Sequence, residues 1–254
     1  MKDLFRKAVH LVREAGKIAK DDALREIVSE KNKNDFVTAV DTGISSFMKK
    51  ELRLLTPDAG FFSEEEAGAL SDPCWILDPI DGTTNLIYGY GLSSVSLAYY
   101  EGGEVVFGIV YNPFTKETFL AEKGRGATLN GKPIKVSRRQ MKDALIEFGA
   151  GSTRKSEADA NFAVALSVFR ECVDIRRICS SALDLCYIAC GRIDGYFEKV
   201  LKPWDVAAGS LILAEAGGVA TDYAGKPIDF SAPTSIVAGN GIVNETLLAK
   251  LGGR

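Results

Sequence analysis

Asp78-Pro79-Ile80-Asp81-Gly82-Thr83-Thr84-Asn85 is the segment of this chain best equipped for chemistry. Two carboxylates follow the apolar run Cys74-Trp75-Ile76-Leu77, and a glycine, two hydroxyls and an amide come directly after them. An apolar run ending in turn residues reads as a buried strand that hands its last side chains to a loop. Pro79 cannot donate a ladder hydrogen bond, and Gly82 permits a positive φ or close approach of a ligand. Two anions at a strand end, beside backbone N–H groups and hydroxyls, suit a hard divalent cation that keeps some waters for a phosphate to replace. Taken alone, the segment reads equally well as a loop with two solvated aspartates.

Other carboxylates shift that balance. Glu64 opens the acidic run Glu64-Glu65-Glu66 after Gly60-Phe61-Phe62-Ser63. Asp205 follows Lys202-Pro203-Trp204, and Asp41 ends Phe36-Val37-Thr38-Ala39-Val40; both read as N-caps of helices. Glu198 closes the apolar stretch Gly195-Tyr196-Phe197. Strand ends and helix starts are where α/β folds gather their sites. The chain has one histidine, His10, and its five cysteines contain no CxxC pair. Ser-His-Asp hydrolysis, phosphohistidine transfer and zinc sites therefore lack parts. Oxygen-only ligation selects Mg²⁺ or Mn²⁺. Cys186 and Arg192 match the spacing of a cysteine-phosphatase loop, but the residues between them read as apolar helix, so the match is chance. The cysteines read as reduced and mostly buried thiols.

The elements that position these groups follow from periodicity. Helices are expected at about 2–27 and 41–55, separated by a polar loop over 31–41. Strands follow at 60–63 and 74–78, then a meander through 93–100, 104–111 and 118–122, with Gly102-Gly103 and Asn112-Pro113 as turns. From about 140 the pattern alternates: strand 144–148, helix 157–171, strand 173–178, helix 181–191, strand 194–198, helix 205–216, strand 235–238 and helix 243–251. Two closely packed halves result, an α+β half over 1–140 carrying most of the metal ligands and an α/β half over 141–254 carrying Asp205 and Glu198. The net charge of −3 supplies no basic field, which leads us to expect no nucleic-acid partner. No apolar run is long enough to span a bilayer and the N-terminus lacks a secretory pattern, so no membrane partner and a cytoplasmic location are expected.

Asp78-Pro-Ile-Asp81-Gly-Thr83-Thr-Asn85 and Trp204-Asp205-Val-Ala-Ala-Gly209 closely resemble the two signature motifs of the inositol monophosphatase family of metal-dependent, lithium-sensitive phosphatases. Asp35-Phe-Val-Thr38-Ala-Val-Asp41, Ser63-Glu64-Glu65, Ala182-Leu-Asp184-Leu and Gly191-Arg-Ile-Asp194-Gly-Tyr-Phe-Glu198 match in the family's order, over nearly the whole chain. The resemblance implies a layered αβαβα sugar-phosphatase-type fold, a homodimer and two or three Mg²⁺ per site. It assigns Glu64, Asp78 and the Ile80 carbonyl to one metal, and Asp78, Asp81 and Asp205 to a second. A weaker third site would involve Glu64 and, through water, Asp41. Thr83 and Glu64 would orient and deprotonate the attacking water, with Asp81 counted among the catalytic groups. Gly82 and Thr83 would hold the phosphate, and Glu198, Asp205, Ser180 and Ser181 the substrate hydroxyls. Lys31 would lie near the outer metal.

The implied reaction is hydrolysis of inositol monophosphate or a related polyol or sugar phosphate by direct in-line attack of water. An aspartyl-phosphate route of the haloacid-dehalogenase type needs one residue between its aspartates, and here there are two. Fructose-bisphosphatase, nucleotide 3′-phosphatase and histidinol-phosphatase activities are the rivals on the same fold. A non-catalytic regulator is the rival of another class, disfavoured because no ligand carboxylate is missing. Departures from the family pattern lie at Cys179, in place of a glycine, and at Leu86, Tyr88, Gly91 and Glu66. They bear on substrate choice more than on catalysis.

Overall fold

The structure, a computed structural model, describes residues 2–32, 35–66, 68–151 and 154–251. The chain opens with helix α1 (Asp3–Ile18) and the short α2 (Asp22–Arg25), followed by strands β1 (Val28–Asn32) and β2 (Asp35–Thr38) and helix α3 (Ala39–Leu55). Then come β3 (Gly60–Ser63), β4 (Cys74–Asp81), α4 (Thr83–Ile87), β5 (Ser94–Glu101), β6 (Glu104–Asn112), β7 (Glu117–Glu122), β8 (Ala127–Leu129) and β9 (Lys132–Pro133). The remainder is β10 (Leu145–Phe148), α5 (Ala158–Phe169), β11 (Asp174–Arg176), α6 (Ser181–Ala189), β12 (Gly195–Leu201), α7 (Pro203–Glu215), β13 (Val219–Thr221), β14 (Thr234–Gly239) and α8 (Val243–Leu251).

Strands β3 to β9 form a seven-stranded sheet in sequence order, antiparallel except for the β3–β4 pair. A five-stranded mixed sheet runs β11-β10-β12-β14-β13. Five layers follow from how the strands alternate. Trp75, Leu77, Leu97, Phe107 and Ile109 face α1 and α3, packing against Phe5, Val12, Ile44 and Met48. On the opposite face, Cys74, Ile76, Ala98 and Val110 meet Leu185, Ile188, Val206 and Ile212 of α6 and α7, which also cover Tyr196, Ile236 and Ala238 of the second sheet. The far side of that sheet, with Ile146, Phe148, Phe197 and Val237, packs on α5 and α8 through Val164, Val168, Val243 and Leu247. Strand β4 is covered on both faces, and for that reason it reads as an unbroken apolar run instead of an alternating one.

Several expected elements differ. Residues 31–41 were expected as a polar loop; β1 and β2 instead pair as a hairpin, and α3 starts at Ala39. The single expected helix over 2–27 breaks after Ile18, where Asp21 accepts the amides of Ala23 and Leu24 and starts a new turn. Helix α4 and strands β13 and β1 were too short to show a period. The place expected for Lys31 and the side chain of Asp35 lie outside the described residues. No described helix is long and apolar enough to cross a membrane.

Candidate active site

Register decides where the two signature aspartates point. Asp78 sits opposite Ser96 and Asp81 opposite Ser94, so β4 spends three residues where β5 spends two. A regular strand would put positions three apart on opposite faces; the extra residue at Pro79-Ile80 returns Asp81 to the face of Asp78. That face carries Cys74 and Ile76 and looks onto the helical layer of α6 and α7. The N-terminal ends of both helices lie at the same place. Asp81 accepts from Ser180 Oγ at 2.5 Å, from the Ala182 amide at 2.9 Å and from the Ser181 amide at 3.2 Å. Asp205 lies in the first turn of α7, with one oxygen accepting the Lys202 amide at 2.7 Å. Helix N-termini favour such anions.

Neither Asp41 nor Asp205 is the N-cap that the sequence reading expected. Thr38 caps α3, and Asp41 stands three residues later, its Oδ2 accepting from the Thr38 amide at 2.8 Å and the Thr38 hydroxyl at 2.5 Å. Lys202 holds the corresponding cap position of α7. The reason is the same in both: the third residue of a helix reaches back to the amide that precedes it. Asp41 Oδ1 is thereby aimed at Thr83, whose hydroxyl lies 3.1 Å away and 3.0 Å from the Ile80 carbonyl. Gly82, at φ 86°, turns the chain from β4 into α4, and Ser93 Oγ donates to its carbonyl. Glu64 follows β3 in the turn beside β4, its amide directed at the Leu77 carbonyl.

Electrostatics make this a site under charge stress. Burial, reinforced by Glu64, Asp81, Asp205 and Asp41, holds Asp78 well above the usual carboxylate range. Burial pushes Asp81 up to about 6 against the opposing donors from α6. Asp205 is raised well above its usual value by burial and by Asp81, and Asp41 is raised by burial despite its Thr38 donors. Asp78 Oδ1 is buried without a hydrogen-bond partner. Among the described residues no lysine or arginine pairs with any of these four aspartates. An orphaned carboxylate oxygen among clustered carboxylates and a hard-oxygen donor set fit a divalent cation. The carboxylates do not form a closed cage: among the described residues, no three metal-ligating side chains converge on one point. Three of them have oxygens committed to helix N-termini: Asp41 to that of α3, Asp81 to that of α6 and Asp205 to that of α7.

A cleft of about 280 Å³ opens beside this cluster, lined by Glu64, Asp81, Gly82, Thr83, Ser181, Glu198 and Asp205, with Gly149 to Gly151, Arg177 and Cys179 also on its walls. Glu198 is oriented by Tyr196, whose hydroxyl reaches Glu198 Oε2 at 2.5 Å and Ser181 Oγ at 2.9 Å. A Cβ at Gly149 would fall 1.8 Å from Glu198 Oε2, so a larger residue there would displace that carboxylate. Ser180 is buried and spends its hydroxyl on Asp81. Asn85 reaches the carbonyls of Leu92 and Ile178, tying the motif loop to the segment before α6. Thr38 and Tyr196 lie inside motifs the sequence reading quoted, but it gave neither a role. The alternation Tyr196–Glu198, which puts both on one face of a strand, was the available signal for the second. Cys186 lies buried inside α6, so its match to a phosphatase loop is indeed accidental, whereas Cys179 is exposed at φ 57° on the cleft wall.

Beside the cleft, Glu147 and Asp184 are buried and each keeps one oxygen without a partner. Burial pushes Glu147 up to about 7. The unfolded carboxyl ionises near its usual value of 4.5, so between 4.5 and 7 the folded chain binds more protons and stability falls as pH rises. Glu147→Gln should therefore match the parent near pH 4 and exceed it at pH 8 by up to about 3 kcal/mol. Urea unfolding at the two pH values checks this; a parallel shift at both would assign the effect to packing.

The family model described as the inositol monophosphatase family matches residues 1–253. The Nus factor SuhB of Escherichia coli strain K12 is 38% identical over 251 residues, covering 96% of this chain and 94% of that protein. Among solved structures, the extragenic suppressor protein suhB of Bartonella henselae superposes with a TM-score of 0.92 at 34% identity, over 99% of both chains. The Thermotoga maritima IMPase does so with a TM-score of 0.90 at 31% identity, over 98% of this chain and 97% of that one. The chain belongs to the inositol monophosphatase family, and its fold is that family's layered α/β architecture. One expectation is corrected. The exclusion of a nucleic-acid partner does not stand beside a relative named as a Nus factor. It rested on net charge, which averages over the whole surface and says nothing about local contacts or contacts made through another protein.

Proposed function

We propose that this chain is a Mg²⁺-dependent phosphomonoesterase that hydrolyses inositol monophosphate or a related polyol or sugar phosphate. The observation that carries the reading is the buried Asp78 oxygen without a partner, set among Asp81, Asp205 and Glu64 beside a hydroxyl already hydrogen-bonded to a carboxylate. The match to the Thermotoga maritima IMPase supports it. Mg²⁺ would be held by Glu64, Asp78, the Ile80 carbonyl, Asp81 and Asp205, with Asp41 behind them. When bound it supplies charge neutralisation for the phosphoryl group and a lower pKa for the attacking water.

The chain's own residues do the rest. Thr83 has one hydroxyl proton to give, and Asp41 Oδ1 and the Ile80 carbonyl compete for it. Donating to Asp41 frees a lone pair on Thr83 Oγ for a water proton. As that water attacks phosphorus, its proton passes to Thr83 and the Thr83 proton to Asp41. The ester P–O bond breaks, and the alcohol leaves with a proton from solvent. Thr38 keeps Asp41 aimed throughout. Glu198, held by Tyr196, faces the cleft where it can accept hydroxyls of the alcohol. Thr83→Ala and Asp41→Asn should each lower kcat about a hundredfold. The double variant should lose little more, because the two act as one unit. Multiplicative losses in steady-state kinetics would refute the shared proton path.

The overall reading is tested by phosphate release from a panel of inositol, sugar and aryl phosphates in Mg²⁺, with and without millimolar lithium. Turnover that lithium inhibits is expected, and no turnover on any ester would sink it. A second role, as a Nus factor, is supported by the name of the Escherichia coli relative. Retention of that role by an inactive Asp78→Asn variant would separate it from the chemistry.

A further inference from the structure

The charged residues lining the cleft are not balanced: Glu64, Asp81, Glu198 and Asp205 are acidic, and Arg177 is the one base among the described lining residues. Arg177 forms no ion pair with a described residue. Its guanidinium lies 5.3 Å from the Phe148 ring centre and 5.9 Å from that of Phe162, and its Nη2 is 3.7 Å from Cys179 Sγ. The two rings contact each other edge to face at 5.4 Å. Stacking on aromatic faces restrains the guanidinium plane while leaving its edge of N–H donors exposed. It shares the lining of the cleft with Glu198 and Cys179, and its charge is felt at both. Phe148, on which it lies, precedes Gly149, the residue set against Glu198 Oε2, so Arg177 stands on the Glu198 side of the cleft, where the hydroxyls of the alcohol would be received.

We infer that Arg177 is a specificity residue that recognises a second anionic group on the substrate, a phosphate or carboxylate distal to the phosphate being cleaved. The inference rests on the phosphatase reading and narrows it from phosphorylated polyols at large to esters that carry a second anionic group. A planar guanidinium engages either group through paired donors, whereas a neutral polyol leaves them to water. The opposing account is that Arg177 merely offsets the charge of Glu198, in which case its removal would affect every substrate alike.

The test uses the intact enzyme in Mg²⁺ with three esters on one scaffold: glucose 1-phosphate, glucose 1,6-bisphosphate and glucuronic acid 1-phosphate. Release of the 1-phosphate is followed for the parent, Arg177→Met and Arg177→Lys. The ratio of kcat/KM for each ester with a second anionic group to that for glucose 1-phosphate should exceed one in the parent and fall roughly tenfold in Arg177→Met. Arg177→Lys should keep part of it, because the charge remains without the planar fork. A response confined to the bisphosphate or to the sugar acid identifies which anion is read. Equal losses on all three esters, or an unchanged ratio, would overturn the inference while turnover of glucose 1-phosphate left the phosphatase reading intact. Calorimetric titration of the same esters, in Mg²⁺, keeps the outcomes apart if no ester turns over. An Arg177-dependent preference in binding would then uphold the inference although the phosphatase reading had failed, and no preference would overturn both.

Discussion

Asp78→Asn is expected to abolish Mg²⁺-dependent phosphate release, by a thousandfold or more, while the fold is retained. Asp78 is the most burdened group of the site: it is buried, has an oxygen with no partner, and has four other carboxylates raising the cost of its charge. That arrangement is unfavourable for the chain alone and favourable only with a cation beside it. The same argument makes the variant informative twice. Removing a charge that burial opposes should leave the melting temperature in chelator equal to or above that of the parent. Scanning calorimetry beside the phosphate assay reads both effects. Near-normal turnover would sink the metal assignment, and a large drop in stability would show Asp78 to be a structural group.

Chelation of the parent should likewise abolish turnover, and restoring Mg²⁺ should stabilise the fold in a pH-dependent way. Asp81 ionises at about 6 in the folded chain against a usual value of 3.8. A raised carboxyl means that the folded state without cation binds more protons than the unfolded state between those values. Its stability therefore falls as pH rises through that window and stays low above it. A cation competes with those protons, so its affinity rises over the same range. At a hundredfold excess over its dissociation constant it adds about 2.7 kcal/mol. For a chain of this size that corresponds to roughly 5–10 °C. Melting curves at pH 5 and pH 8, with chelator and with Mg²⁺, should show the gap widening at pH 8. It should largely vanish in Asp78→Asn. A gap independent of pH, or unchanged in the variant, would place Mg²⁺ elsewhere on the molecule.

The local elements were legible where they had a period. Helix α3, the meander β5–β7 and helix α8 lie within two residues of expectation, because each has an amphipathic or alternating face against a core. The β1–β2 hairpin and α4 were not, because four or five residues carry no period and their state is decided by what they pack on. The donor groups of the site were named from residue type and spacing, since oxygen ligands without histidine leave few chemistries open. Their orientation was not legible. The hydrogen bonds from Thr83 to Asp41 and from Ser180 to Asp81 join residues 42 and 99 positions apart, which no local pattern records. Arg177 lies outside every motif, and its place on the cleft wall, over the Phe148 and Phe162 rings, is a feature of the tertiary structure.

By itself the order of residues determined the family, the inventory of carboxylates and the lack of a histidine to do other chemistry. Only the tertiary structure decided that Asp78 and Asp81 face the same way, because that depends on the register of β4 against β5 around Pro79. It alone decided that α6 and α7 bring their N-termini to that face, so that anions far apart in the chain share one buried space and raise one another's pKa. Side-chain direction is set by partners across the fold, and a linear sequence records the partners without recording which of them meet.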